Sequence, residues 1–276
     1  MKLSTALTLP FFGYYSLTLT EANSLNNIFR NPIEERVFAQ IDQATKLMKE
    51  AEAENGNEKD QTAENDQTAG RPALPSGPST RYLAKKDLTM LKNYGCWCYF
   101  EEERGKGQPV DEYDRQCKIL QDGYECIRMD AEEQNLECNV WESTYNSAIG
   151  TGALGGVSME RLKEECDEAN ENDVCGSMIC RVEGWFTQNI MLLFFQQGIL
   201  PNTALYKHDN GAFDPSIECV VQKGPASEKS CCGEYPERFP FKTQDGSRQC
   251  CGGRTYNAQL LNCCEDGTTS FNECQQ

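Results

Sequence analysis

Hydrolysis of an ester or amide near neutral pH needs a group that takes a proton from water. It also needs a cation or a set of donors that meets the charge developing on the carbonyl oxygen. For the first task the 276-residue chain has a single histidine, His208, in the run Lys207-His208-Asp209-Asn210-Gly211. Asp-Asn-Gly reads as a turn and adjacent side chains point apart, so His208 is expected to be an exposed loop residue and not half of a dyad. Oxygen donors are plentiful by contrast. Tyr99-Phe100-Glu101-Glu102-Glu103 follows Cys98, and Gln121-Asp122 lies further on. Such oxygens suit calcium, which takes roughly six to eight of them; a solvated acidic loop is the competing reading of the three glutamates. The apolar set from Trp185 to Phe195 reads as core packing or as the lining of an acyl pocket.

Disulfides have to position whatever chemistry there is. Sixteen cysteines occur, all of them between 96 and 274, which points to an oxidising compartment. At the N-terminus Lys2, the apolar stretch Leu3 to Leu19 and Thr20-Glu21-Ala22 read as a signal peptide over 1–22. No other run approaches the ~18 apolar residues of a membrane span, and Ile190 to Phe195 is too short. The expectation is a secreted, extracellular chain with no transmembrane span. A net charge of -17 argues against nucleic acid and against attraction to anionic membranes, and it permits cationic partners, calcium among them.

Residues 23–83 read as an acidic leader. Asn31-Pro32-Ile33-Glu34 is a helix start, with an N-cap, proline at the first position and glutamate at the third. Ile33, Val37, Phe38, Ile41, Ala44, Leu47 and Met48 recur at helical spacing, so an amphipathic helix is expected over 31–52. It is a pro-segment covering the domain behind it, a partner-binding helix, or ordinary packed structure. Gly56 to Pro78, with Asp60-Gln61-Thr62-Ala63 repeated as Asp66-Gln67-Thr68-Ala69, has the composition of a disordered linker. Arg81-Tyr82-Leu83 resembles the Arg-x-Leu processing site of secreted, silica-associated proteins, which would put cleavage after Leu83.

Two runs carry a larger resemblance. Asn93-Tyr94-Gly95-Cys96-Trp97-Cys98 is followed by Gly105-Lys106-Gly107-Gln108-Pro109-Val110-Asp111-Glu112-Tyr113-Asp114-Arg115-Gln116-Cys117 and by Tyr124. Together these resemble the calcium loop and first catalytic helix of secreted phospholipase A2. Cys175-Gly176-Ser177-Met178-Ile179-Cys180-Arg181-Val182-Glu183 resembles its partner helix. In that register Leu120 stands at the catalytic histidine, Gln121 at the calcium aspartate, Tyr124 at the family tyrosine and Glu183 at the second aspartate. The catalytic set is therefore not intact. The resemblance makes Trp97, Tyr99, Glu101 and Gln121 the calcium candidates, with Asp122 replacing Gln121 if the register slips by one residue. Two family bridges lose both halves, because Gly123 faces Val182 and Gln116 faces Asn189 where cysteines would pair. The bridges implied are Cys98–Cys117, Cys138–Cys175 and Cys166–Cys180, with Cys96 reaching a later cysteine such as Cys219. Cys126 has no partner in the family pattern.

Residues 223–276 carry Cys231-Cys232, Cys250-Cys251 and Cys263-Cys264, and with Tyr256-Asn257 they look like the dicysteine repeats of galaxin-type extracellular and biomineral-matrix proteins. Vicinal cysteines without histidine do not match zinc spacing, so disulfides are expected. Seven cysteines lie beyond Lys229, an odd number. At least one bridge therefore returns to Cys126 or Cys219, unless a thiol stays free or pairs between molecules. The expected fold is mainly α and disulfide-rich: a phospholipase A2-like domain over 84–222 with two long antiparallel helices, then a small irregular or β dicysteine tail. The expected function is a non-catalytic module binding phospholipid or extracellular protein and matrix. The alternatives are a calcium-dependent phospholipase A2 cleaving the sn-2 ester, and a structural extracellular or biomineral-matrix protein. No cofactor is expected, calcium being the one ion the pattern admits.

Overall fold

The computed structural model describes residues 33, 35–37, 39–41, 43, 44 and 46, then 90–100, 105–147, 158–194, the backbone of 195 and 196, 199–221, 224 and 226–274. The expected signal peptide, the linker 56–78, Arg81-Tyr82-Leu83 and Glu101 lie outside the described residues.

The described residues between 33 and 46 are all helical, here α1. Helix α2, Glu112–Gln134, begins where the Asp111 carboxylate accepts the Asp114 N–H at 3.0 Å and ends at Asn135 in the left-handed conformation. Helix α3, Met159–Ala169, is capped by Ser158 and helix α4, Val174–Met191, by Asp173. A π-helical turn, Leu192–Gln196, extends α4. Among the described residues no helix is long and apolar enough to cross a membrane.

Named contacts fix the directions. Tyr113 meets Phe194 with ring centroids 5.3 Å apart, whereas Tyr124 at the next turns of α2 hydrogen-bonds Glu183 earlier in α4, so the two helices run antiparallel. Cys166–Cys180 and the ion pair of Asp167 with Arg181 lay α3 along α4 on another side. Arg36 bonds Glu183 and Gln40 bonds Thr187, one turn later on both helices, so α1 lies parallel to α4. Ile33, Val37, Ile41, Leu120, Ile127, Ile179, Phe186 and Ile190 form the shared apolar core.

All sixteen cysteines are bonded, with none left free. Cys96–Cys219, Cys98–Cys117, Cys138–Cys175 and Cys166–Cys180 tie the helical part. The returning bridge is Cys126–Cys231. The tail consists of three antiparallel strand pairs: β1 Lys229–Cys232 with β2 Phe239–Lys242, β3 Arg248–Cys251 with β4 Arg254–Asn257, and β5 Asn262–Cys263 with β6 Thr269–Ser270. A vicinal pair on a strand sends its side chains to opposite faces and so bonds two different neighbours. Cys231 reaches back to α2 while Cys232 reaches forward to Cys250; Cys251 continues to Cys263, and Cys264 to Cys274. The first strand pair is also held by charge. Arg238 places Nε and Nη2 on the two oxygens of Asp130 at 2.8 and 3.0 Å, and the Tyr235 hydroxyl donates to the same carboxylate at 2.8 Å. The architecture is therefore a disulfide-rich mixed fold, with the helices before residue 222 and the strand pairs after it.

Gly123 on α2 leaves room for Val182 on α4, since a Cβ there would stand 2.8 Å from one Val182 methyl and 2.9 Å from the other. Gly123→Ala should cost about 1–3 kcal/mol in urea denaturation through overpacking, and Val182→Ala in the same chain should recover part of it. Additive losses in that double-mutant cycle would show that the two positions do not limit each other.

Candidate functional site

The loop before α2 is moulded around a carboxylate. Asp114, fully buried, accepts the N–H groups of Trp97 at 2.7 Å, Cys96 at 2.8 Å and Val110 at 3.0 Å. Gly95 supplies the left-handed turn, φ 59°, against that carboxylate, which a side chain at 95 would strike. Burial pushes the Asp114 carboxyl above its ordinary value, against the pull of these three donors. From behind, His208 bonds the Gly95 carbonyl through Nε2 at 2.6 Å while its ring stacks on Phe213. His208 is thus half-buried and clamps the loop, where the sequence suggested an exposed turn. The turn motif is present, but the motif carries no information about the carbonyl that the ring meets.

The carbonyls of Trp97 and Tyr99 face α2, and a side-chain amide meets them. Gln121 donates from Nε2 to both, to Tyr99 at 3.0 Å, while its Oε1 accepts the Gly105 N–H at 2.7 Å. The opposite amide orientation would set Oε1 against two carbonyls and two N–H groups against each other, so the network fixes the assignment. The residues present do not fit a calcium ion between Trp97, Tyr99 and Gln121: both carbonyls point at amide hydrogens, and the amide brings no charge to the site. Asp122, the slipped-register candidate, instead pairs with Lys118, whose ammonium lies 5.0 Å over the Trp97 ring. Leu120 is 2% exposed and belongs to the apolar core.

A second polar cluster surrounds Glu183. Glu183 on α4 is 0% exposed and receives four donors. Arg36 contributes Nη2 at 2.7 Å to Oε1 and Nε at 3.2 and 3.3 Å to the two oxygens. Tyr124 donates to Oε1 at 2.7 Å and Tyr145 to Oε2 at 2.6 Å. The rest of the guanidinium meets the main-chain carbonyls of Val140 at 2.7 Å and Ser143 at 3.2 Å. Gln40 bonds the Tyr145 hydroxyl and accepts from Thr187 at 3.1 Å. Burial pulls the Arg36 guanidinium down, but Glu183 more than offsets this and holds it above its ordinary value. Burial, and then Glu183, push both tyrosine hydroxyls well up, so they remain donors. In this state the cluster has no acceptor free to take a proton from water.

Tyr124 and Glu183, singled out from the sequence, are therefore brought together; Gln121 lies with Trp97 and Tyr99 at the loop, and Asp122 pairs with Lys118. Gln116 donates from Nε2 to Glu112 at 2.6 Å, while its buried Oε1 has no partner among the described residues, and Asn189 donates to the Trp185 carbonyl at 2.8 Å. Sequence reasoning missed Arg36, Gln40, Tyr145 and Thr187. A signal existed for the first two. Counted from Ile33, they occupy the i+3 and i+7 positions of the stripe that Val37, Ile41 and Ala44 complete, so they are polar residues on an apolar face.

Arg36→Ala should lower stability by about 3–5 kcal/mol in urea denaturation, because it leaves Glu183 charged and buried, and Glu183→Gln in the same chain should restore part of the loss. Alkaline stability follows from the tyrosines. Tyr94, Tyr113, Tyr124, Tyr145 and Tyr235 are all raised above 10.0, burial being the largest cause. The fold favours their protonated form, so their contribution is complete below pH 10 and is lost above it. The slope is about 1.4 kcal/mol per pH unit for each tyrosine. Denaturation midpoints should fall steeply from pH 10 upward, with these five hydroxyls ionising only on unfolding by absorbance at 295 nm. A flat profile to pH 11 would contradict this. No protein-family model, curated protein or solved structure matches the chain.

Proposed function

We propose that the chain is a secreted protein on a phospholipase A2-like scaffold without a hydrolytic centre, acting as an extracellular module that binds phospholipid or extracellular protein and matrix. One observation carries the reading: the Gln121 amide occupies the loop carbonyls that a catalytic cation would need. Several others support it. The position assigned to the base is the buried Leu120, and the second family carboxylate, Glu183, is neutralised by Arg36. Gly123 and Val182, which stand where two family cysteines would bond, are in contact. Eight disulfides fit an oxidising compartment. Ile199, Leu200, Leu205, Ile217, Val220 and Val221 stand exposed on the segment that clamps the loop, and they supply apolar surface for a lipid or protein partner. The relay of bridges through the tail favours a matrix-associated role in the same setting.

The full chain should release no fatty acid above a blank from phosphatidylcholine vesicles, with calcium or with chelator. Leu120→His alone should not change that: a general base contributes about 10²–10⁴-fold only where the developing charge is also met, and Gln121 leaves it unmet. Calcium-dependent release by the unmodified chain would overturn the proposal in favour of a phospholipase with another base. Calcium-independent sedimentation with vesicles or with an insoluble matrix is the expected positive signal.

A further inference from the structure

We infer that the groove holding α1 is an exchangeable binding site for an amphipathic helix bearing one arginine, occupied in the intact chain by its own α1 and able to take the same helix from a second copy. The inference does not rest on the phospholipase-like reading, since it uses only the contacts of α1.

The groups that receive α1 all come from other elements. Its polar part consists of the Glu183 carboxylate, the hydroxyls of Tyr124 and Tyr145, and the carbonyls of Val140 and Ser143. These come from α2, α4 and the segment between α2 and α3, which Cys138–Cys175 locks to the start of α4. Its apolar part receives Ile33, Val37, Ile41 and Ala44, each no more than 1% exposed. The chemistry selects for arginine. A planar guanidinium spans a carboxylate and two carbonyls at once, which a lysine ammonium cannot do, and an uncharged residue leaves Glu183 buried without a cation.

No disulfide holds α1 in place. All eight disulfides join residues between 96 and 274, and the first 95 residues contain no cysteine. Residues 56–78, between α1 and the loop, carry Gly, Pro and the Asp-Gln-Thr-Ala repeat and have the composition of a linker. Such a tether gives α1 an effective concentration of roughly millimolar order. In dilute solution the chain's own helix wins, and another copy's helix competes once the tether is cut or the protein is concentrated.

The test uses the full chain with a site-specific protease sequence placed within 56–78 and cut after folding. A fluorescent synthetic peptide of residues 31–52 is then titrated in, with anisotropy reporting binding and size-exclusion chromatography reporting departure of the N-terminal fragment. The peptide should displace the fragment and saturate at one per chain. An Arg36→Gln peptide should bind at least ~100-fold more weakly, the loss expected for one partner of a buried ion pair, with Arg36→Lys between the two. The uncut chain should bind far less peptide at the same concentration. A cut chain that keeps its fragment against excess peptide through a urea series until global unfolding would show a permanent structural element and overturn the inference. Equal binding of the Arg36→Gln peptide would overturn it as well.

Discussion

A buried carboxylate with nowhere to send its charge organises the helical half of this protein. Glu183 lies at the contact of α1, α2 and α4, fully shielded from water, where an unpaired ion would cost several kcal/mol. Every element that touches it contributes a donor: Arg36 from α1, Tyr124 from α2 and Tyr145 from the segment before α3. The demand for neutrality is thus converted into position. The parallel run of α1 beside α4, the register of α2 against α4 and the path of residues 140–145 all have to satisfy the same two oxygens. Apolar burial would bring these elements together in many arrangements, whereas hydrogen-bond direction admits few.

A second constraint of the same kind shapes the loop. Asp114 gathers three N–H groups on its inner side, and this turns the carbonyls of Trp97 and Tyr99 outward to α2. Carbonyls gathered in this way need a donor or a cation. Gln121 answers with the donor, and its own oxygen answers Gly105, so both limbs of the loop close on one side chain. A neutral amide satisfies the geometry without a bound ion.

Much of this was legible in the sequence, and the exceptions share a cause. The periodicity of 33–48 marks α1, and the resemblance carried by Gly105 to Tyr124 implies a helix bearing Gln121 and Tyr124. Such patterns read well because they are local. Arg36 was passed over because an arginine at the border of an apolar stripe usually reaches solvent along its stem, and only the position of Glu183, 147 residues away, keeps it inside. Tyr145 and His208 were missed or misread for the same reason, since the chain that each touches is remote. The tail was legible as irregular or β, but its strands could not be located, because four-residue segments built around vicinal cysteines show no apolar alternation.

The tail carries the same logic to its limit. With little apolar surface to bury, each strand pair would be marginal alone, and the fold replaces a core with a covalent relay. A dicysteine suits this because adjacent strand residues face opposite ways, so one unit is joined both backward and forward. The relay needs an anchor at one end, and Cys126–Cys231, reinforced by the fork of Arg238 on Asp130, supplies it on the outer face of α2. Helix α2 thus receives the tail through a covalent bond, whereas α1 is held by the Arg36–Glu183 ion pair, hydrogen bonds and apolar contact. One helix accordingly separates a permanent attachment from a reversible one, and the absence of cysteine before residue 96 is what keeps the two chemically distinct.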